Sequence, residues 1–352
     1  MDFIETQIVA FPDLADLYTT LGTLYEKKLW HQLSLALEAF VVDKNIRGDN
    51  MVQLYDRFIA TFEVRLNQVN LAGLVSSISR FMNDAAKSLL FVTKVLEARS
   101  RLGSEAAMCL DMDVITLKLK LGDVDTAKDL LAEATAKLPE IKSTESVVFA
   151  KYYRATAEYK KVVGPASDFY NAALMFLSYA SVDDLHAEDR ISLATDMALS
   201  SITGENIYNF GEVLATPILQ SLVGTPQEWL MLLVEAMNSG NVEQFNSVLE
   251  AHKQQYFAQP VLASSDERVK QKIVLLSALN IAFERPSHDR QIAFKDFSQR
   301  AGIPLDQVEW VLMKAMSLGL LRGMIDQVDQ VVNVTWVQPR VLDKQQIGLL
   351  DA

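Results

Sequence analysis

The stretch from Gln291 to Arg340 limits the possible folds of this chain more than any other, because helical and β-prone pieces alternate in an order that few folds use. Gln291-Ile-Ala-Phe294 is β-prone, and Lys295 to Ala301 reads as a short helix stopped by Gly302. Ile303-Pro304 turns the chain into a second helix, Leu305 to Leu318, closed by Gly319. Leu320 to Asp326 and Val331 to Val337 are again β-prone and are joined by Gln327-Val-Asp-Gln330. Strand, helix, turn, helix, hairpin is the order of a winged helix-turn-helix.

Local signals agree with that order. Pro304 stands where a first-turn proline is tolerated, and Asp306 and Glu309 put negative charge at the positive end of the helix dipole. Val308, Val311, Leu312, Ala315 and Leu318 recur at helical spacing and predict a buried stripe. In the hairpin, Leu321, Gly323 and Ile325 share one face, and Arg322, Met324 and Asp326 the other. Val332, Val334 and Trp336 alternate with Asn333 and Thr335, which predicts a half-buried strand with Trp336 in the core. The last strand is expected at the centre of the sheet. Gln291–Phe294 and Leu321–Ile325 then lie at its edges, open to a neighbouring strand or simply solvated.

From Phe11 to about Phe283 the pattern is helix after helix. Segments are predicted at Leu14–Leu29, His31–Asp43, Met51–Leu66, Ala85–Leu102, Glu105–Leu121 and Thr126–Leu138. Others are predicted at Glu145–Val163, Ser167–Tyr179, Glu188–Ile202, Gln227–Met237, Glu243–Phe257 and Glu267–Phe283. Short turns between them imply antiparallel neighbours. Glycines follow helices at Gly122, Gly164, Gly204 and Gly240, spaced by 42, 40 and 36 residues. Gly122-Asp123 followed by Ala127, Leu131, Ala134 and Pro139 resembles the second half of a tetratricopeptide repeat, with small residues where paired helices approach. Two readings follow: degenerate helix-pair repeats, or an irregular stack whose glycines are ordinary C-caps. The expected division is an arm over 1–180 and a second module over 181–342, itself split into helices (181–285) and a winged helix (286–340), then a short tail (343–352). Glu284-Arg-Pro-Ser-His288 is too short a linker for independent motion.

Composition narrows the function. The 352 residues carry a formal charge of −12, of which residues 286–352 hold −1 and residues 1–285 hold −11. Neither part has the basic excess that binding a phosphate backbone requires, so neither nucleic acid nor an anionic membrane is an expected partner. No apolar run reaches the length of a membrane span, and the first residues lack the pattern of a signal peptide. Cys109 is the only cysteine, which fits a soluble protein of a reducing compartment such as cytoplasm or nucleus. It lies in an apolar helical run and reads as a small buried side chain. Asp111 and Asp113, two apart on a helix, read as solvated charges. His31, His186, His252 and His288 show no metal-ligand spacing, and no phosphate-binding loop is present. No cofactor, metal or catalytic residue is expected.

The second helix of the helix-turn-helix would enter the major groove of DNA in a nucleic-acid reader. Here it carries Asp306, Glu309 and Lys314, and its face away from the apolar stripe offers Trp310 and Met313. Those two side chains suit burial against protein, on the chain's own helical arm or on a partner. With the strand residues Ile292, Phe294, Arg322 and Met324 they are the candidate partner-interface residues.

Helical repeats followed by this winged helix resemble the PCI family, which is shared by the proteasome lid, the signalosome and a translation-initiation complex. The likeness is sharpest at Trp310-Val-Leu-Met-Lys-Ala-Met-Ser-Leu-Gly-Leu-Leu-Arg-Gly-Met-Ile-Asp-Gln-Val-Asp-Gln-Val-Val-Asn-Val-Thr-Trp-Val-Gln-Pro-Arg340, which looks like a PCI signature of the lid. Gly204-Glu-Asn-Ile-Tyr-Asn-Phe-Gly-Glu-Val-Leu214 and Tyr25-Glu-Lys-Lys-Leu-Trp30 are similar to lid subunits as well. The resemblance implies a mostly α fold, a TPR-like solenoid arm followed by a winged-helix PCI domain with a small three-stranded sheet. It implies a non-catalytic scaffold of the 26S regulatory-particle lid, docked to neighbouring PCI subunits and to the metalloprotease-type deubiquitinase pair. A PCI scaffold of another complex, such as the signalosome, and a nucleic-acid-binding winged helix are the alternatives. Lid PCI subunits typically continue into a long C-terminal helix. Twelve residues follow Arg340 here, so the winged helix is expected to carry assembly in this chain.

Overall fold

The computed structural model describes residues 2–10, 14–42, 48–82, 84–97, 102–141, 145–286 and 290–339. The chain divides into two compact units, Met1–Val163 with Ala172–Ala180, and Gly164–Asn171 with Ser181–Ala352. It is mostly helical, with one small sheet.

The first unit is a succession of paired helices. They are α1 (Asp2–Ala10), α2 (Ala15–Glu26), α3 (Trp30–Val42), α4 (Gly48–Arg57), α5 (Gln68–Phe81), α6 (Ala85–Glu97), α7 (Ser104–Lys120), α8 (Val124–Lys137) and α9 (Ser146–Val163). Helix α10 (Ala166–Tyr179) follows. Helix α7 is the hub, packed against α5, α6, α8 and α9. It buries Cys109 together with Ala106, Met108, Leu110, Met112 and Ile115, which accounts for its lack of a single polar face. The repeat-like residues behave as their spacing predicts. Asp123 caps α8 through the Thr126 amide, and the buried residues of α8 are Ala127, Leu131 and Ala134. Tyr25 and Trp30 meet edge to face, 5.9 Å between ring centres, beside Phe58 and Phe62, and the Arg65 guanidinium lies 5.3 Å from the Trp30 ring. The Tyr25–Trp30 motif is therefore a packing element.

Several expectations are corrected here. The helix expected over Met51–Leu66 stops at Arg57 and gives way to two 3-10 turns, Ile59–Thr61 and Glu63–Arg65. Helices α1 and α5 were not anticipated. Asp113 is no solvated charge: Lys151 donates to it at 2.9 Å, and the Ser76 hydroxyl lies within hydrogen-bond reach of both. Both ionic side chains of the pair are about four-fifths buried, at 22 % and 19 % exposure.

The second unit is built on one long helix. Helices α11 (Ala187–Thr203), α12 (Phe210–Ala215), α13 (Glu228–Ser239), α14 (Val242–Ala251) and α15 (Lys253–Ala258) precede α16 (Pro260–Glu284). The helix expected over Glu243–Phe257 breaks at His252, giving α14 and α15. Helix α16 has 25 residues, about 37 Å at 1.5 Å per residue. It packs against α11, α13, α14 and α15, and also against the elements that follow it. Those are β1 (Gln291–Ala293), α17 (Phe294–Ala301), α18 (Leu305–Ser317), β2 (Leu321–Asp326) and β3 (Val331–Val337). The strand order is β1-β3-β2, antiparallel throughout, as a winged helix requires. Residues 340–352 lie outside the described residues.

Local chemistry sets these boundaries. Gly302 and Gly319 adopt φ of 63° and 71° at the ends of α17 and α18, a conformation that costs glycine nothing. Val308, Val311, Leu312 and Ala315 are the buried stripe of α18. Between β2 and β3 the register slips: Arg322 pairs with Trp336 but Gly323 pairs with Val334, so Thr335 is the extra residue of a bulge. A bulge reverses the alternation beyond it. Trp336 therefore sits on the outer face, half-buried, and the expectation that it belongs to the core is overturned. Gly323 permits the slip, since a Cβ there would overlap the Asn333 carbonyl oxygen.

Candidate protein-docking site

The winged helix presents two surfaces. The first is the outer face of α18, where Trp310 is 52 % and Met313 49 % exposed. Within the second unit, Trp310 and Met313 are each about half exposed. Glu309 is tied to the wing turn by Gln327, whose side-chain amide donates at 2.9 Å. With Asp306 on the same helix, the charges around the patch repel a phosphate backbone. Large exposed apolar side chains on a helix that also carries Asp306, Glu309 and Lys314 suit a protein surface.

The second surface is the outer face of the sheet. Met324 is 72 % exposed, and its cross-strand neighbour Asn333 is exposed too. The Arg322 guanidinium lies over the Trp336 ring at 4.8 Å, so this arginine is held flat on the sheet. β1 and β2 are the edge strands. The wing tip carries Val328 at 92 % exposure, an apolar residue in a polar turn that the strand-by-strand reading passed over.

The six candidate residues thus separate. Trp310, Met313, Arg322 and Met324 are exposed, while Ile292 and Phe294 are 0 % and 3 % exposed. Ile292 faces inward opposite Val332, and Phe294 opens α17, its amide donating to the Gln330 carbonyl at 2.8 Å. Their side chains are core. Only the backbone of β1 is left for a partner on that edge.

A second group of polar residues is structural. Lys272 of α16 is 6 % exposed. Its ammonium donates to the carbonyls of Ser201, Ile202 and Gly204 at 2.7, 3.3 and 2.9 Å. These lie at the end of α11, where carbonyls lack helical partners and the dipole is negative. The rings of Tyr208 and Phe210 lie 5.5 and 5.0 Å from the ammonium. Burial pushes its pKa down to about 7. The Gly204–Leu214 motif is therefore the cage around this lysine. Cys109 is also inert in its setting: burial pushes its thiol up to about 11, away from the reactive thiolate.

Among the described residues no group of three or more acidic, histidine or cysteine side chains could hold a metal. Nor is any helix long and apolar enough to cross a membrane.

Known proteins match this chain from end to end. A family model for PSD13 N-terminal repeats covers residues 17–234, and one for the PCI domain covers residues 249–336. The Arabidopsis thaliana 26S proteasome non-ATPase regulatory subunit 13 homolog B is 37 % identical over 99 % of this chain and 92 % of its own length. The chain belongs to the family of 26S proteasome non-ATPase regulatory subunit 13. The Dictyostelium discoideum subunit 13 is 31 % identical over 100 % of this chain and 92 % of its own length. The Saccharomyces cerevisiae 26S proteasome regulatory subunit RPN9 is 30 % identical over 96 % and 88 %. The PCI match ends at Trp336, so it takes in α17, α18, β2 and all of β3 but its last residue.

Proposed function

We propose that this protein is a non-catalytic scaffold subunit of the lid of the 26S proteasome regulatory particle, supporting ubiquitin-dependent degradation by holding neighbouring subunits in place. The observation that carries the proposal is the near full-length similarity to proteins named as 26S proteasome regulatory subunits. Two features of the fold support it. The helix that would read DNA in a winged-helix reader instead displays Trp310 and Met313 among acidic and amide side chains. The sheet has two edge strands and an exposed Met324 on its outer face. Docking to adjacent PCI subunits uses these surfaces, and isopeptide hydrolysis belongs to the metalloprotease-type partners. The cytoplasm and nucleus are the compartments this role implies.

Tagged full-length protein, purified from its own cells, is expected to bring other lid subunits with it in near-equal amounts. Trp310→Glu combined with Met324→Glu is expected to lower that recovery about tenfold or more, the effect of losing roughly 1.4 kcal/mol or more at an interface hot spot. Both residues are exposed, so the isolated variant should keep its melting temperature. Wild-type protein that recovers no lid subunit would overturn the proposal.

A further inference from the structure

A cleft of about 500 Å³ opens in the first unit, lined chiefly by α5, α7 and α9. Four cations line it, Arg80, Lys120, Lys151 and Arg154, with two carboxylates, Asp113 and Glu158. The wall therefore carries two net positive charges, in a chain whose overall charge is −12. The concentration has a simple origin in sequence. Each helix turns a stripe of spacing i, i+3 or i+4, i+7 toward the cleft: Gly73 to Arg80, Asp113 to Lys120, and Lys151 to Glu158. Each stripe sets polar or charged side chains beside a small or apolar one, Gly73, Leu117 or Ala155, where a packed helix would be apolar throughout.

Within the lining the four cations outnumber the two carboxylates. Lys151 is bound by Asp113 at 2.9 Å, and Arg154 meets Glu158 at 3.6 Å. Burial and the nearby Arg154 guanidinium hold the Arg80 pKa below its ordinary value, against the pull of the Glu158 carboxylate. The net excess of two positive charges in the lining favours an added anion. Gly73, in the middle of α5, leaves room for one: a Cβ built there meets nothing within 4 Å. A mid-helix glycine costs about 1 kcal/mol relative to alanine, and here it keeps the wall low.

We propose that this cleft is a docking site for an acidic peptide segment of a partner protein. A stripe from i to i+7 is about 10 Å long, the length of three to four extended residues at roughly 3.3 Å each. Carboxylates two residues apart on such a segment point the same way, and Arg80, Lys120 and Arg154 are the lining cations that meet them. None of the lining residues is aromatic, so the cleft has no platform on which a nucleic-acid base would stack. Its two carboxylates also repel a continuous phosphate backbone. The proposal is independent of docking through the winged helix.

The test uses the full chain and a fluorescein-labelled Glu-Ser-Glu-Ser-Glu peptide, with binding followed by fluorescence anisotropy at low salt. Saturable binding is expected. Lys120→Glu and Arg80→Glu should each weaken it about tenfold or more, the loss of about 1.4 kcal/mol for one charge-assisted contact. Gly73→Leu, which fills the cleft without adding charge, should weaken it similarly. Lys270→Glu, outside the cleft, should leave it unchanged, and circular dichroism confirms that each variant is folded. Four results would each overturn the proposal: no saturable binding, an equal loss in Lys270→Glu, tighter binding of a single-stranded RNA of the same charge, or displacement of the peptide by equimolar inorganic phosphate.

Discussion

Replacing Lys272 by Met tests whether a buried cation can act as the cap of a distant helix. The substitution keeps most of the stem volume and removes the ammonium. Three carbonyls, those of Ser201, Ile202 and Gly204, then lose a donor within 3.3 Å, and the negative end of α11 loses its counter-charge. Each orphaned buried acceptor costs about 1–3 kcal/mol, offset by relief of the cost of burying a charge. A net loss of about 2–4 kcal/mol at pH 7 is expected. Denaturant unfolding followed by tryptophan fluorescence measures it, since Trp229, Trp310 and Trp336 all lie in the second unit. The pH dependence isolates the charge. The ammonium titrates near pH 7 in the fold, against about 10.4 in an unfolded chain. Between those values the unfolded chain holds a proton that the fold has released, so wild-type stability gains with rising pH relative to Lys272→Met. From pH 7 to 9 the gain is about 2 kcal/mol at 1.36 kcal/mol per pH unit. A variant as stable as wild type at pH 7, with a difference that stays flat to pH 9, would refute the cap.

Three further outcomes are expected. Gly323→Ala forces β2 away from the Asn333 carbonyl and should cost about 1–3 kcal/mol in thermal or denaturant unfolding; a neutral result would mean the bulge is dispensable. Trp336→Ala, on the outer face, should cost only about 1–2 kcal/mol, the loss of half-buried area and of the Arg322 stack, against about 3–5 kcal/mol for a core tryptophan. Cys109, 1 % exposed, should resist a thiol reagent at pH 7.5 until the protein unfolds, and complete labelling of native protein within minutes would contradict the burial argument.

Sequence legibility followed the reach of the determinants. Elements α17, α18, β2 and β3 begin and end within a residue or so of expectation, because Gly302, Gly319 and the period-2 alternation are local signals. Helix α5 was hidden by Gly73, Ser76, Ser77 and Ser79, poor helix formers. It exists because Leu71, Leu74, Val75 and Ile78 are buried by other helices. The break at His252 carries no proline or glycine to announce it. Strict alternation placed Trp336 in the core, and only Gly323 hinted at the slip that turns it outward. At the candidate site, subtracting the apolar stripe of α18 put Trp310 and Met313 on its other face but left open whether that face is covered. Ile292 and Phe294 were misjudged because an edge strand was equated with exposed side chains. The partners of Lys272 lie about seventy residues away, beyond any local pattern.

The helix α16 has a consequence for the order in which this protein is made. From Lys272 to Ala282 every residue except Val274 is buried, so this part of the helix has no water-facing side. Its cover comes partly from α11 and α13, synthesised earlier, and partly from α17, α18 and β3, synthesised later. A nascent chain that has just completed Glu284 therefore holds a mostly apolar rod with part of its sheath still unmade. Chains ending there should be retained by chaperones or degraded. The winged helix thus completes the cover of α16 in the same step that forms its own outer surface.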